Sequence, residues 1–345
     1  MVILVLLWWS WAPFSWLANQ AHADEGLMRF GLCAVMVAVF MAALAIPEAF
    51  HDLDGGLHGP LVLAVTYTAV RVLHLVLYMY AAGNDGPLRR QIGKLTVAAV
   101  LGAALVITGA LLGGTAQTWF WLAGMVLDTV ITFFISRHGN WRIHSAAHWT
   151  ERYGLVVILA LGESIVAIGV GASQEPVSVP VLIGAAAGIC LSIGLWWLYF
   201  DVTAIAAEHR FAALRGSVRS SAAVEAYTYL PLVAGIILAA LGVEDALAHV
   251  EDSEALGSLG YFALFAGPAL YVLSIAAFWR RMGAGWKKWR LGTAALLLLL
   301  LAVRPPLTSL AALLLVTAII AALVAVESAR YAAARAGIRN TASGG

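Results

Sequence analysis

Eleven apolar stretches, each near the length of a bilayer-crossing helix, follow one another along the chain, and nothing else in it restricts the fold as strongly. They run over roughly 2–20, 29–46, 61–81, 95–112, 117–136, 153–171, 181–200, 226–242, 259–279, 290–303 and 307–326. A helix crossing hydrocarbon needs about 20 mostly apolar residues, because lipid offers no partner to a free backbone N–H or C=O. The tenth stretch is short and stops at Arg304, Pro305 and Pro306, where two prolines forbid continuation. Composition agrees: 62% of the 345 residues are hydrophobic and 11% charged, against roughly 25% charged in a soluble domain. The expected fold class is all-α, a polytopic membrane helix bundle with the lipid bilayer as its first partner.

The basic residues give a direction. Arg29, then Arg89, Arg90 and Lys94, then Arg137, Arg142 and Arg152, then Arg210, Arg215 and Arg219, fall in alternate loops. Arg280, Arg281, Lys287, Lys288 and Arg290 continue the series, and Arg330, Arg335 and Arg339 close it. Eighteen of the twenty basic residues thus share one side, and Arg304 alone stands in an opposite loop. The positive-inside rule makes that side, and the C-terminus, cytoplasmic. No loop carries the dense basic patch that phosphate backbones require, so nucleic acid is not an expected partner. Cys33 and Cys190 fall in apolar runs and read as small core residues.

The chain also resembles itself. "LWWSW" at 7–11 echoes "LWWLY" at 195–199, and "AALAIPEAFH" at 42–51 echoes "AALGVEDALAH" at 239–249. The two offsets are nearly equal, which suggests two halves of similar plan; chance recurrence in so biased a composition is the alternative. The expected division is a first repeat over 1–147, a second over 148–330, and a disordered cytoplasmic tail over 331–345. Six helices in the second half face five in the first, and the helix without a counterpart is 153–171. A first repeat missing its opening helix, with twelve spans when complete, is the expectation. Six helices per half make the repeats parallel.

Three ionisable residues sit far from any span end. Arg71 is the eleventh residue of its stretch, Asp128 the twelfth and Glu163 the eleventh, and a rise of 1.5 Å per residue places all three near the midplane. Each alone at a helix centre costs about 2.5–3.5 kcal/mol, so pairing is expected, with one guanidinium serving two acids. A carboxyl in apolar surroundings takes up a proton more readily, which makes Asp128 or Glu163 a proton carrier in this reading. Tyr67, Arg71, His74 and Tyr78 fall at i, i+4, i+7 and i+11, one continuous helix face. That stripe is either a substrate or proton path or a hydrogen-bonded network that pins helices together.

Other signals are weaker. His144 and His148 stand one helical turn apart with Glu151 three residues on, a metal-ligand spacing with no fourth ligand; a surface histidine pair is the simpler reading. No metal and no cofactor is expected. Trp196, Trp197 and Tyr199, beside Asp201, suit an aromatic belt. Gly154, Gly162, Gly169 and Gly171, with Ala160 and Ser164, suit close helix approach.

"HWTERYGLVVILALGESIVAIG" at 148–169 resembles the signature of the bacterial low-temperature-requirement protein A family, and "RVLHLVLY", "IPEAFHD" and "LLWWSW" fit its first half. The resemblance spans about residues 1–335. It implies a twelve-span protein of the bacterial inner membrane whose opening helix carries a Glu-Leu-Phe-Phe-Asp motif, a helix this chain lacks. The motif positions carried over are Arg71, His74, His148, Glu151, Arg152, Glu163 and Ser164. The family name records a growth phenotype in the cold and implies no substrate or reaction. A proton-coupled secondary transporter of an unknown small solute or ion is the leading reading. A non-transporting sensor or scaffold, or an intramembrane enzyme, is the alternative, and an enzyme is the less favoured.

Overall fold

A computed structural model describes residues 2–18, 26–137, 146–201, 203–204, 218–281 and 285–330; of 136–137, 146–150 and 218–227 it describes the backbone alone. Within them are eleven helices and no strand: α1 (Val2–Leu17), α2 (Gly26–Leu44), α3 (Gly59–Ala81), α4 (Gly86–Leu112), α5 (Gly114–Arg137), α6 (Ala146–Ala172), α7 (Val179–Phe200), α8 (Val218–Ala248), α9 (Ser258–Arg281), α10 (Lys288–Val303) and α11 (Ser309–Arg330). Nine are long and apolar enough to cross a membrane. At 16 residues each, α1 and α10 are shorter than that. The fold is an all-helical polytopic bundle, and each apolar stretch read from the sequence is one of its helices. The expected tail, 331–345, lies outside the described residues.

Local chemistry explains where the helices start and stop. His58, Asp85 and Ser178 each accept a hydrogen bond from a first-turn N–H, and a proline follows two residues later in each case. The capping side chain satisfies one orphan donor, and proline at the first turn gives none up. Asp85 accordingly starts α4 nine residues before the apolar stretch at 95, carrying Arg89, Arg90 and Lys94 on a helical extension. The last turn of α10 closes on Arg304 in the left-handed conformation at φ 49°, immediately before Pro305 and Pro306.

The chain divides into two compact units, Met1–Ser145 with Gly216–Ala223, and Ala146–Arg215 with Val224–Gly345. In the first, α3 packs on α1, α2 and α4, α4 packs along α5, and α1 also touches α5. Tyr67, Val106, Trp121 and Met125 lie in one core cluster there, Val70, Tyr78 and Ile92 in another. In the second unit α7 touches α6, α9 and α11, while α10 packs on α9 and α11. Thus α1 neighbours α3 and α5 as α7 neighbours α9 and α11, the same order of contacts at the same spacing of helices. Between α8 and α9 the backbones themselves meet: a Cβ on Gly235 would lie 2.7 Å from the Tyr271 nitrogen, and Gly267 faces Ala239 as tightly. Small residues permit that approach where lipid provides no hydrophobic drive.

Two expectations need correction. Cys33 and Cys190 are exposed, on helix faces rather than in the core. Tyr199 points inward, its hydroxyl 2.8 Å from that of Tyr229, so of the aromatic trio Trp196 and Trp197 alone are exposed.

Candidate functional site

The first unit contains a buried charge centre assembled from three helices. Arg71 on α3 and Asp128 on α5 form an ion pair, Nη2 to Oδ2 at 2.7 Å, with exposures of 6% and 1%. Trp9 on α1 donates its indole N–H to the same Oδ2 at 2.9 Å. Thr132, one turn along α5, donates to Oδ1 at 3.2 Å. Asp128 therefore accepts three hydrogen bonds, the pattern that suits an acceptor-only carboxylate. Gly102 of α4 faces the Asp128 Cβ, and a side chain there would crowd it at 3.2 Å.

The stripe on α3 faces inward over its full length, with Tyr67, Arg71, His74 and Tyr78 all buried. His74 Nε2 lies 3.2 Å from the Pro13 carbonyl of α1; a carbonyl can only accept, so Nε2 carries the hydrogen. The His74 ring stands edge-on to Phe14 and Tyr78, with centroids 5.0 and 5.5 Å away. Arg71 Nε and His74 Nδ1 are buried without a hydrogen-bond partner among the described residues. Beyond Tyr67 lies a cavity of about 10 Å³ between α1, α2 and α3, bordered by Leu6, Ser10, Leu63 and Tyr67. That is close to the smallest volume that holds one water molecule.

Glu163 belongs to the second unit. The face of α6 that packs inward is Tyr153, Val157, Ala160, Ser164, Ala167 and Gly171, and Ser164 donates to the Ala160 carbonyl at 3.4 Å. Glu163 lies on the other face, exposed among Leu159, Gly162 and Val166. Of the glycines expected to permit close approach, Gly171 does so, facing the backbone of Glu244 on α8, while Gly162 and Gly169 are open. Glu151 is exposed and Arg152 half-buried at the start of α6. His144 and the side chain of His148 lie outside the described residues, and no group of three potential metal ligands occurs within them.

Sequence reasoning missed Trp9, Thr132 and a second ion pair, between a buried arginine and a partly buried glutamate. Arg290 on α10 binds both carboxylate oxygens of Glu327 on α11 at 2.8 Å. The Trp8 and Trp9 doublet was a signal, since a buried indole needs an acceptor. Arg290 and Glu327 gave none: each stands at a span edge, where a charge calls for no partner.

Residues 1–325 match the family model of the bacterial low temperature requirement A protein (LtrA). The chain is also similar to an uncharacterised protein of Rhizobium meliloti (strain 1021), 25% identical over 286 residues, 79% of this chain and 66% of that protein. The chain thus spans just under two thirds of the length of the curated relative it matches. No solved structure matches it.

Proposed function

We propose that this chain, which belongs to the bacterial low temperature requirement A family, is a proton-coupled secondary transporter of the inner membrane, with its C-terminus in the cytoplasm. In this reading the Arg71 and Asp128 pair is a fixed charge centre at the midplane, with Tyr67, His74 and Tyr78 beside it. Glu163 carries the proton. One observation supports the assignment above the others: Asp128 is already engaged by three donors, whereas Glu163 is exposed midway along an apolar helix. A charged carboxylate facing hydrocarbon costs about 2.5–3.5 kcal/mol, and protonation removes that cost. A group that is neutral in lipid and ionised where water reaches it is what proton coupling needs.

The shared order of helix contacts in the two units supports a parallel repeat, an arrangement around which alternating access is built in several transporters. The buried ion pair of Arg71 and Asp128, with Trp9 bonded to the same carboxylate, favours a second reading, a scaffold or sensor whose charges serve only to hold helices together.

The test is reconstitution in proteoliposomes enclosing a pH-sensitive dye, challenged with a panel of labelled solutes under an imposed pH gradient. Solute uptake accompanied by proton movement is the expected result. Uptake of no solute, with no proton flux at any pH, leaves the scaffold reading.

A further inference from the structure

Three loops lie at the end of the second unit where α6, α8 and α10 finish: 173–178, 249–257 and 304–308, all within the described residues. The middle loop is held on both sides, by different chemistry. Toward α10 and α11 the tie is backbone: the Leu256 N–H donates to the Leu307 carbonyl at 3.0 Å, Ala255 and Thr308 pair as an isolated antiparallel bridge, and Leu256 is buried. Nothing in that tie titrates. Toward α6 and α7 the tie is a side-chain contact, the Ser178 hydroxyl donating to the Glu251 carboxylate. Ser178 holds it while capping α7, because its oxygen accepts from the Val181 N–H at 3.3 Å.

His249 opens the middle loop, beside the titratable tie. Its Nδ1 lies 2.9 Å from the Asp245 carbonyl, which can only accept, so Nδ1 carries the hydrogen and Nε2 is the nitrogen that titrates. The charged groups that act on the ring are Asp245 on the helix before it, Asp252 in its own loop and Glu175 in the α6–α7 loop. All are acids. Asp245 is also fixed in place, since its carboxylate occupies the space that a side chain on Gly260 would take. Glu251 and Glu254 bring the loop no positive charge, and the Arg304 guanidinium stands 5.9 Å from the centre of the Tyr261 ring. A neutral His249 ring therefore offers a lone pair among carboxylates, which only accept. A protonated ring gives them a donor and a cation.

We infer that the α6–α7 and α8–α9 loops form a latch worked by one proton on His249. With Nε2 protonated, the cation draws Asp252 and Glu175 together and keeps Ser178 on Glu251. Without that proton, Glu175 and Asp252 repel across the two loops and the Ser178 contact opens, while Leu256 stays on Leu307 as the hinge. The inference is independent of transport.

Rapid-quench hydrogen exchange on the full chain in nanodiscs of phosphatidylcholine, at about pH 5.5 and about pH 8.5, tests it. Rates are converted to protection factors, which removes the intrinsic effect of pH on exchange. Two amides report the latch: that of Asp252, bonded to the His249 carbonyl at 3.2 Å, and that of Gln174, bonded to the Gly171 carbonyl at 3.2 Å. The Leu256 amide reports the hinge. Protection of the first two should fall about two- to fivefold at the higher pH, the range of an exposed ion pair, and that of Leu256 should hold. His249→Lys, charged at both pH values, should keep the latch amides protected throughout. His249→Gln should leave them weakly protected throughout, and Glu175→Gln with Asp252→Asn should remove the dependence on pH. Equal protection of the latch amides at both pH values in the natural chain would overturn the inference. So would a dependence on pH that survives in His249→Gln, a His249→Lys variant that behaves like His249→Gln, or an equal loss of protection at Leu256.

Discussion

Arg71 and Asp128, 57 residues apart in the chain, meet at 2.7 Å inside the first unit and tie α3 to α5. The pair is compensated in place, since Trp9 and Thr132 bond the same carboxylate. Removing one member leaves a buried charge uncompensated, which costs about 3–5 kcal/mol. Arg71→Met and Asp128→Leu should each lower the thermal midpoint of the purified protein sharply, and the double variant should recover most of the loss. Additive losses in the double variant would mean that the two side chains do not act on each other.

Trp9 supplies a separable part of that cluster. Trp9→Phe keeps an aromatic ring and deletes the indole N–H, so the expected loss is that of one hydrogen bond to a charged group, about 1.5–3 kcal/mol. Combining it with Asp128→Leu should add much less than its own cost, and unfolding of the four proteins in detergent would show whether it does.

The close packing of α8 on α9 makes a sharper steric prediction. A side chain on Gly235 meets the Tyr271 nitrogen at 2.7 Å and the Gly267 carbonyl at 2.8 Å. Gly235→Ala should destabilise by about 1–3 kcal/mol, the usual cost of overpacking. The same change at Gly162, which has open space around it, should be nearly neutral in a paired melting experiment.

His249, just past the end of α8, responds to pH. Its ring is 2.9 Å from the Asp245 carbonyl. That bond, ahead of the nearby charges of Asp245, Asp252 and Glu175, raises its pKa above the ordinary 6.5. The folded state therefore binds this proton more tightly than the unfolded chain does. The resulting stabilisation is fully present below pH 6.5 and fades as pH rises through the raised folded value. An NMR titration should show the His249 ring changing protonation above 6.5, and a midpoint at or below 6.5 would contradict the geometry.

Much of this molecule could be read from residues alone. Hydropathy located each helix because the bilayer imposes length and polarity together, and the inward stripe on α3 followed from the 3.6-residue period. The pairing of Arg71 with an acid also followed from depth, since a charge at the midplane must be answered. Which acid answers it could not be read, because Asp128 and Glu163 lie at equal depth in their stretches and only the packing of α3 on its neighbours decides what Arg71 reaches. Tyr199 was misread for a related reason: a tyrosine at a span end suits the headgroup layer and a buried hydroxyl pair equally well, and Tyr229 supplies the partner. Arg290 and Glu327 left no trace in hydropathy, being charges at positions where charge is ordinary.

Proton coupling by this chain depends most on the carboxyl of Glu163. In proteoliposomes under an imposed pH gradient, the natural chain should accumulate its solute, and Glu163→Gln should abolish gradient-driven uptake while melting at the same temperature as the natural chain. Uptake by Glu163→Gln equal to that of the natural chain across pH would contradict the assignment.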